Sequence, residues 1–185
     1  MSSKRGILYV GGDDSNHAGT AKGEIMVGTF SFLKEDSIVQ NFKNRRDYQK
    51  TLRWLENPSR DYRLTALVLE KYRHSSQNLV EIIPKLTEKY ILNKKLNIEQ
   101  INIYLDGRLN RGSRNQIRNF FRERLGIEKV VVDNFLKKNK NKNGKVEKHP
   151  FCPSLVYHAD VLANHLNTLP SYLELTKSNK FMVIK

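Results

Sequence analysis

The chain has 185 residues, a length that suits one domain with its own buried core. Its 33 lysines and arginines outnumber its 19 acidic residues, so the formal net charge is +14 at pH 7. The single cysteine, Cys152, excludes an internal disulfide framework and a cysteine-based zinc site. No apolar run approaches the roughly 20 residues that a membrane span needs, so we expect a cytoplasmic protein with no membrane partner.

The excess of positive charge indicates a polyanionic partner, because lysines and arginines that neutralise phosphates release condensed counterions. DNA or RNA is therefore the favoured partner, and a charge that serves only solubility is the alternative. The charge is concentrated in an arginine-rich stretch and in a lysine-rich stretch further along the chain. The predicted nucleic-acid-binding residues are Arg114, Arg118, Arg122, Lys137, Lys138, Lys140 and Lys142.

The first half of the chain is predicted to hold several strands and one helix. An apolar run at 7–10 predicts a central strand, buried on both faces, that ends at Gly11-Gly12. A helical spacing of apolar residues predicts a basic amphipathic helix at about 45–56. Further strands are predicted at 24–31, 37–42 and 62–69.

The second half alternates helices with strands. An apolar stripe from Leu79 to Tyr90 predicts a helix, with a kink or a late start at Pro84. A strand is predicted at 101–105. The next helix is opened by a capping box, Ser113-x-x-Gln116, and ended by Gly126.

The last part of the chain continues this alternation. A strand is predicted at 130–132, and a mobile loop rich in lysine and asparagine follows at about 137–148. A last helix, opened by Pro153-Ser154, is predicted to face inward with Leu155, Ala159, Leu162 and Leu166. Strands that alternate with helices after an initial run of strands predict an α/β fold with a mixed sheet.

Acidic residues follow several of the predicted strands. Asp13 and Asp14 come after the first strand, Asp106 after the 101–105 strand and Asp133 after the 130–132 strand. Asp160 lies in the otherwise apolar last helix. Ligand sites gather at the carboxyl ends of strands in open α/β sheets, so these acids can converge. Clustered carboxylates repel one another unless cations neutralise them, and such oxygen ligands suit Mg²⁺ or Mn²⁺, which support phosphodiester cleavage.

Each of these residues also has a purely structural interpretation. The four acids that follow strands are common turn residues. Asp160 is costly to bury without a partner, but it avoids that cost if it lies on the outer face of its helix. The arginines of the 114–122 row recur every four residues, which fits a row of phosphate contacts and a solvated helix face equally well.

These acids, in this order, resemble the pattern of ribonuclease H-like proteins, and most closely the uncharacterised family called domain of unknown function 3800. Residues 13–16, Asp-Asp-Ser-Asn, are similar to the Asp-Glu-Ser-Gly-like turn of that family, with Asn16 in place of glycine. A middle strand and a long helix then precede a strand that ends in Asp106. An Ala-Asp pair at 159–160 lies in a late helix, after Tyr157 where a glutamine is usual.

The resemblance covers most of the chain and implies a single domain over 1–185 with a ribonuclease H-like mixed β-sheet flanked by helices. It implies Asp13, Asp106 and Asp160 as metal ligands in a catalytic site, with Asp14 as an auxiliary and Mg²⁺ or Mn²⁺ as cofactor. By analogy with the wider superfamily, we expect a metal-dependent nuclease or a related phosphoryl-transfer enzyme. Two alternatives stay open: a module that binds nucleic acid without cutting it, and a structural protein that holds an acidic protein partner.

Overall fold

A computed structural model describes the chain at residues 6–14, 24–32, 65–72, 78–106, 109–135, 139–140, 146–147, 155–156, 158–160, 162–163 and 181–184. Between 155 and 163, all residues except 157 and 161 are described, and all of these are helical. This stretch is named segment 155–163. The strand predicted at 37–42 and the helix predicted at 45–56 lie outside the described residues.

The described strands and helices follow one another along the chain as the sequence pattern predicts for an α/β protein. The strands are β1 (Gly6–Asp14), β2 (Glu24–Ser31), β3 (Thr65–Tyr72), β4 (Ile98–Asp106), β5 (Lys129–Phe135), β6 (Asn139–Lys140), β7 (Val146–Glu147) and β8 (Phe181–Ile184). The helices are α1 (Asn78–Asn93) and α2 (Arg111–Leu125).

Six of the described strands form one mixed sheet in the order β5-β4-β1-β2-β3-β8. The strand β2 pairs antiparallel with both β1 and β3, whereas β4 is parallel to β1 and β5 is parallel to β4. Parallel neighbours need a crossover connection, and α2 provides it between β4 and β5. The prediction of an α/β fold with a mixed sheet flanked by helices is confirmed.

The helices α1 and α2 cover one face of this sheet, named the helix face. Alternate residues of a strand point to opposite faces, so Leu8 and Val10 lie on the helix face together with Ile101, Ile103 and Leu105 of β4. The helices contribute the buried side chains Val80, Ile83, Leu86, Tyr90, Ile117 and Phe121 to the same core. This core fixes which residues of β1, β4 and β5 point to the other face of the sheet.

Segment 155–163 packs against the other face, named the acid face because it carries Asp13, Asp106 and Asp133. A Cβ atom on Gly11 would lie 2.4 Å from the carbonyl carbon of Leu155, so the segment touches the β1 backbone directly. The buried hydroxyl of Thr29 on β2 donates a hydrogen bond of 2.7 Å to the Leu155 carbonyl. The predicted inward positions Leu155, Ala159 and Leu162 are buried, and Leu166 lies outside the described residues.

The strands are longer than the apolar runs that predict them, and this changes the status of the acids. The strand β1 continues through Gly11 and Gly12, and Asp13 and Asp14 pair with Val27 and Met26 of β2. Their alternative interpretation as turn residues is therefore wrong, since both belong to the sheet. The same holds for Asp106 and Asp133, which lie within β4 and β5.

The late start that was one of two alternatives for α1 is excluded, and the predicted start of α2 is wrong. The helix α1 begins at Asn78 and runs through Pro84, so there is no late start at the proline. The N-cap of α2 is Asn110, whose side chain accepts a hydrogen bond of 2.8 Å from the backbone N–H of Ser113. Asparagine caps as well as serine does, so Asn110 takes the role that the capping box assigned to Ser113. The end of α2 at Gly126 is confirmed, with φ of 65° in the left-handed region.

Two pairings were not predicted from the sequence. The strand β8 extends the sheet beside β3 in a parallel arrangement. Within the loop predicted at 137–148, β6 and β7 form a short antiparallel pair, which corrects that prediction for these four residues. Two-residue strands rich in asparagine, lysine and glutamate carry no apolar pattern that would reveal them.

Candidate active site

Asp13 and Asp106 stand next to each other at the carboxyl edge of the sheet. The parallel register joins Gly11 to Tyr104 and Gly12 to Leu105, which makes Asp13 and Asp106 the next neighbours along β1 and β4. Neighbouring strands lie about 4.8 Å apart, so the two backbones bring these residues into one place. Asp13 is only 5% exposed, and its Oδ2 atom is shielded from solvent. Asp106 is half-buried.

A second row of residues lies one step behind this pair on the same acid face. The register aligns Gly11 of β1, Tyr104 of β4 and Asp133 of β5 across three parallel strands. Asp133 is therefore diagonal to Asp106, whose direct neighbour on β5 is Phe135. Behind this row, Tyr9 and Asn102 are buried, while Val131 is 47% exposed.

The environment of Tyr104 is low in polarity and negative. Burial raises the pKa of the Tyr104 phenol, and the neighbouring groups of Tyr9 and Asp133 raise it further. The phenol accordingly stays neutral and keeps its proton at neutral pH. The side chains of Tyr9 and Asp133 therefore each lie within electrostatic range of the Tyr104 phenol.

Asp160 lies in segment 155–163, whose Leu155 end packs on the acid face. It is half-buried, which excludes the interpretation that it lies fully exposed on the outer side of the helix. His158, two residues earlier, is 0% exposed. Residues two apart on a helix point about 160° away from each other, so the buried His158 and the half-buried Asp160 lie on different sides of the segment. Asp14 ends β1 opposite Met26, and its side chain lies outside the described part of the structure.

The predicted metal ligands fit a divalent cation by chemistry, and the fit rests on two of them. Two neighbouring carboxylates, one of them almost fully buried, favour a positive charge between them. Mg²⁺ is commonly held by one or two carboxylates, with waters and substrate phosphates completing its shell. Among the described side chains, no group of three or more histidines, cysteines or acidic residues is placed to hold a metal ion. A three-aspartate site with Asp160 stays a prediction.

The predicted arginine row of α2 lies at the β5 edge of the sheet. The Arg118 Nε atom donates to the Val130 carbonyl at 3.3 Å, and Arg122 forms an exposed ion pair of 2.8 Å with Glu128. Because Glu128 directly precedes β5, Arg122 lies at the amino end of the parallel strands. Arg114, eight residues earlier, is half-buried and lies about 12 Å nearer to the carboxyl edge. Only the Arg114 end of the row therefore approaches the acids.

Of the four predicted lysine contacts, one belongs to the described residues. Lys137, Lys138 and Lys142 lie outside the described residues, and Lys140 is described only as a backbone position in β6. Their chain position is nevertheless informative, since the stretch begins just after β5 ends at Phe135. That end of β5 is level with Asp106 at the carboxyl edge.

The row of residues behind the acid pair is not apparent from the sequence. The sequence pattern shows Tyr104 only as part of an apolar strand and Asp133 only as one of several acids that follow strands. The signal that finds them is the two-residue period of β4 and β5, which puts Tyr104 on the face of Asp106 and Asp133 on the face of Val131. Their alignment required the register, which the sequence does not reveal.

The fold and this site define an α/β protein with a pair of carboxylates at the carboxyl edge of its parallel strands. No protein-family model matches the chain, and no curated protein matches it. Solved structures do match, among them a chain of the PCNA:RNase HII complex from Archaeoglobus fulgidus. That similarity has 14% sequence identity and a TM-score of 0.42, and it covers 92% of this chain and 77% of the other. Among the described residues, no helix has the length and apolar character needed to cross a bilayer.

Proposed function

We propose that the protein is a metal-dependent nuclease, or a related phosphoryl-transfer enzyme, that acts on nucleic acid. The observation that carries this proposal is the register of β1 with β4, which makes Asp13 and Asp106 neighbours on one face. Carboxylates at the strand ends of an α/β sheet, in a chain with a net charge of +14, combine an acidic centre with affinity for a polyanion.

Asp13 and Asp106 would hold Mg²⁺ or Mn²⁺, and Asp160 would join them from segment 155–163. When bound, the cation would supply electrostatic stabilisation of the phosphoryl oxygens and of the leaving oxygen. Asp13 is buried, and its backbone pairs with Val27 within the sheet. Its carboxylate would therefore be held in place before the reaction begins, so that no ordering of this side chain is needed at that moment. Asp14 is the proposed auxiliary residue; strand alternation assigns its position to the helix face, so this role would require its side chain to reach around the end of β1.

Positive side chains outside the acid pair would hold the phosphate backbone. Arg114, at the end of its row near the acids, and the lysines of the 137–148 stretch are the proposed contacts. Arg118 and Arg122 would contribute at the β5 edge, since an exposed ion pair such as Arg122–Glu128 is worth less than about 1 kcal/mol and is easily exchanged for a phosphate.

The experiment is a cleavage assay of the purified chain on labelled DNA, RNA and hybrid substrates, with Mn²⁺, with Mg²⁺ and with EDTA. Asp106→Asn keeps the shape of the side chain but removes its charge. We expect cleavage of at least one substrate with a divalent cation and at least a hundredfold loss in the variant. Glu99→Gln, an equal loss of charge at the other end of β4, is the matched control and should cleave as the natural chain does.

A second candidate function is a module that binds nucleic acid without cutting it. The observation that favours it is the net charge of +14, which supports affinity for a polyanion without any contribution from the acid pair. Salt-dependent binding to nucleic acid, with no cleavage under any cation, would support this candidate against the first.

We further propose that residues 1–185 form one domain of ribonuclease H-like type that works in the cytoplasm. The six-stranded sheet, which joins strands from β1 to β8, supports a single domain, and the order of the acidic motifs resembles that of ribonuclease H-like proteins. Limited proteolysis that yields two stable fragments would contradict a single domain.

A further inference from the structure

Beyond the carboxylate pair, the acid face carries three side chains of β4 and β5 that are not buried, and Tyr104, Asp133 and Val131 are together named the floor. Segment 155–163 lies over β1, where Leu155 contacts Gly11, and so forms a wall along one side. Tyr104 is the next residue in the row and is half-buried, and Asp133 beyond it is also half-buried. Val131, 47% exposed, continues the floor on β5. The floor leads into the Asp13–Asp106 pair at its carboxyl end.

The chemistry of this floor selects against phosphate and in favour of a planar, neutral group. Tyr104 and Val131 offer an aromatic ring and an aliphatic surface, and the Asp133 carboxylate repels a phosphate while it accepts hydrogen bonds from N–H groups. Aromatic side chains in nucleic-acid-binding proteins stack on unpaired bases, because each base has an aromatic face. An aspartate next to the stacked base would accept a hydrogen bond from an exocyclic amine, as carboxylates do from cytosine N4.

We propose that Tyr104 and Asp133 form a binding site for an unpaired nucleobase that carries an exocyclic amine, next to the Asp13–Asp106 pair. This inference rests on the proposed function for its ligand class and extends it, since it specifies a single-stranded segment at the site. The base lies on Tyr104, its amine donates to Asp133, and the phosphate that follows it lies toward the carboxyl edge and the acid pair.

Segment 155–163 forms the β1 side of the proposed site. In the row of Gly11, Tyr104 and Asp133, the glycine has no side chain, and this lets the Leu155 backbone approach β1. Among the described residues, segment 155–163 thus stands over β1, while Tyr104 and Asp133 lie on the next two strands. A double-stranded segment keeps its bases paired and stacked, and so it presents no free base face to Tyr104.

The test measures binding of fluorescent oligo(dC) and oligo(dT) of equal length to the full chain by anisotropy, at pH 8 in EDTA. Metal ions and cleavage are excluded, so the result is independent of nuclease activity. We expect oligo(dC) to bind at least fivefold more tightly than oligo(dT), because thymine lacks the exocyclic amine. Tyr104→Leu should weaken the binding of both by about tenfold through lost stacking, and Tyr104→Phe should restore it.

Asp133→Asn should reduce the preference for oligo(dC) to less than twofold, since an amide pairs with thymine oxygens as well as with an amine. Glu99→Gln removes the same charge from the neighbouring strand and should leave the preference intact. Unchanged affinity in folded Tyr104→Leu, or an unchanged preference in Asp133→Asn, overturns the proposal. A preference that behaves as expected in a chain that cleaves nothing would keep this site and reject only the nuclease.

Discussion

Gly11 and Gly12 are neighbours in β1, and each contacts a different layer of the molecule. A Cβ on Gly11 would lie 2.4 Å from the Leu155 carbonyl carbon, whereas one on Gly12 would lie 2.7 Å from the Ile83 Cδ1 atom. The backbone of segment 155–163 is held in place by Thr29, but the end of an isoleucine side chain moves at low cost. A side chain at position 11 is therefore harder to accommodate than a side chain at position 12.

We predict that Gly11→Ala destabilises the protein more than Gly12→Ala does. Overpacking against backbone costs about 1–3 kcal/mol, and Gly11→Ala should be at the upper end of that range. Gly12→Ala should cost less than half as much, because Ile83 and Leu105 adjust. Urea denaturation of both variants measures this difference. Equal midpoints would show that segment 155–163 does not rest on β1 as described.

At the level of a single element, the start of α2 is the clearest case in which the sequence pattern gives a wrong prediction. Both Asn110 and Ser113 are good caps, and the glutamine at 116 made Ser113 the better match to a capping box. The geometry favours Asn110, which has extended backbone angles and accepts from the Ser113 N–H. Local sequence rules fixed the existence of this helix, while the cap depended on where β4 ends and the chain turns.

We predict that Asn110→Ala costs about 1 kcal/mol of unfolding free energy, as the loss of an N-cap does. Ser113→Ala is the matched control, and a surface substitution of this kind should change stability by less than about 0.5 kcal/mol. Thermal and urea unfolding of the two variants give the comparison. A larger effect at Ser113 would restore the capping box and contradict the assigned start of α2.

The arginine row of α2 spans from the carboxyl edge of the sheet to its amino edge. Arg114 and Arg122 therefore differ in their distance from the acids, although the sequence presents them as equivalent. Arg124, on another side of the helix, pairs with Glu88 of α1 at 2.9 Å. The orientation follows from the crossover between parallel strands, which no property of the helix sequence alone could reveal.

We predict that Arg114→Ala lowers nucleic-acid affinity and reduces the slope of log affinity against log salt by about 1, as the loss of one phosphate contact does. Arg124→Ala removes the same charge but should leave the slope unchanged, because Arg124 lies on another side of the helix, toward Glu88 of α1 and away from the Arg114 row. The slope is measured by anisotropy titrations between low and moderate salt. The same loss of slope in both variants would mean that only net charge matters.

At the scale of the whole molecule, periodicity and chain order predicted the α/β class and the positions of most strands and helices. The predictions for β1, β2, β4, α1, α2 and β5 succeeded because apolar patterns in these elements reflect the helix-face core. What they left out is pairwise: the register of Asp13 with Asp106, the row of Tyr104 with Asp133, and the pairing of β8 with β3. These depend on contacts between distant parts of the chain, which short patterns do not encode.

Mn²⁺ titration followed by electron paramagnetic resonance tests, without any substrate, whether Asp13 and Asp106 together bind a divalent cation. We predict that the natural chain binds one or two Mn²⁺ ions and that Asp106→Asn, folded by circular dichroism, binds them at least tenfold more weakly. Glu99→Gln, the loss of a carboxylate at the far end of β4, should bind as the natural chain does. Equal Mn²⁺ affinity in the natural chain and in Asp106→Asn, or no binding by either, would contradict the account.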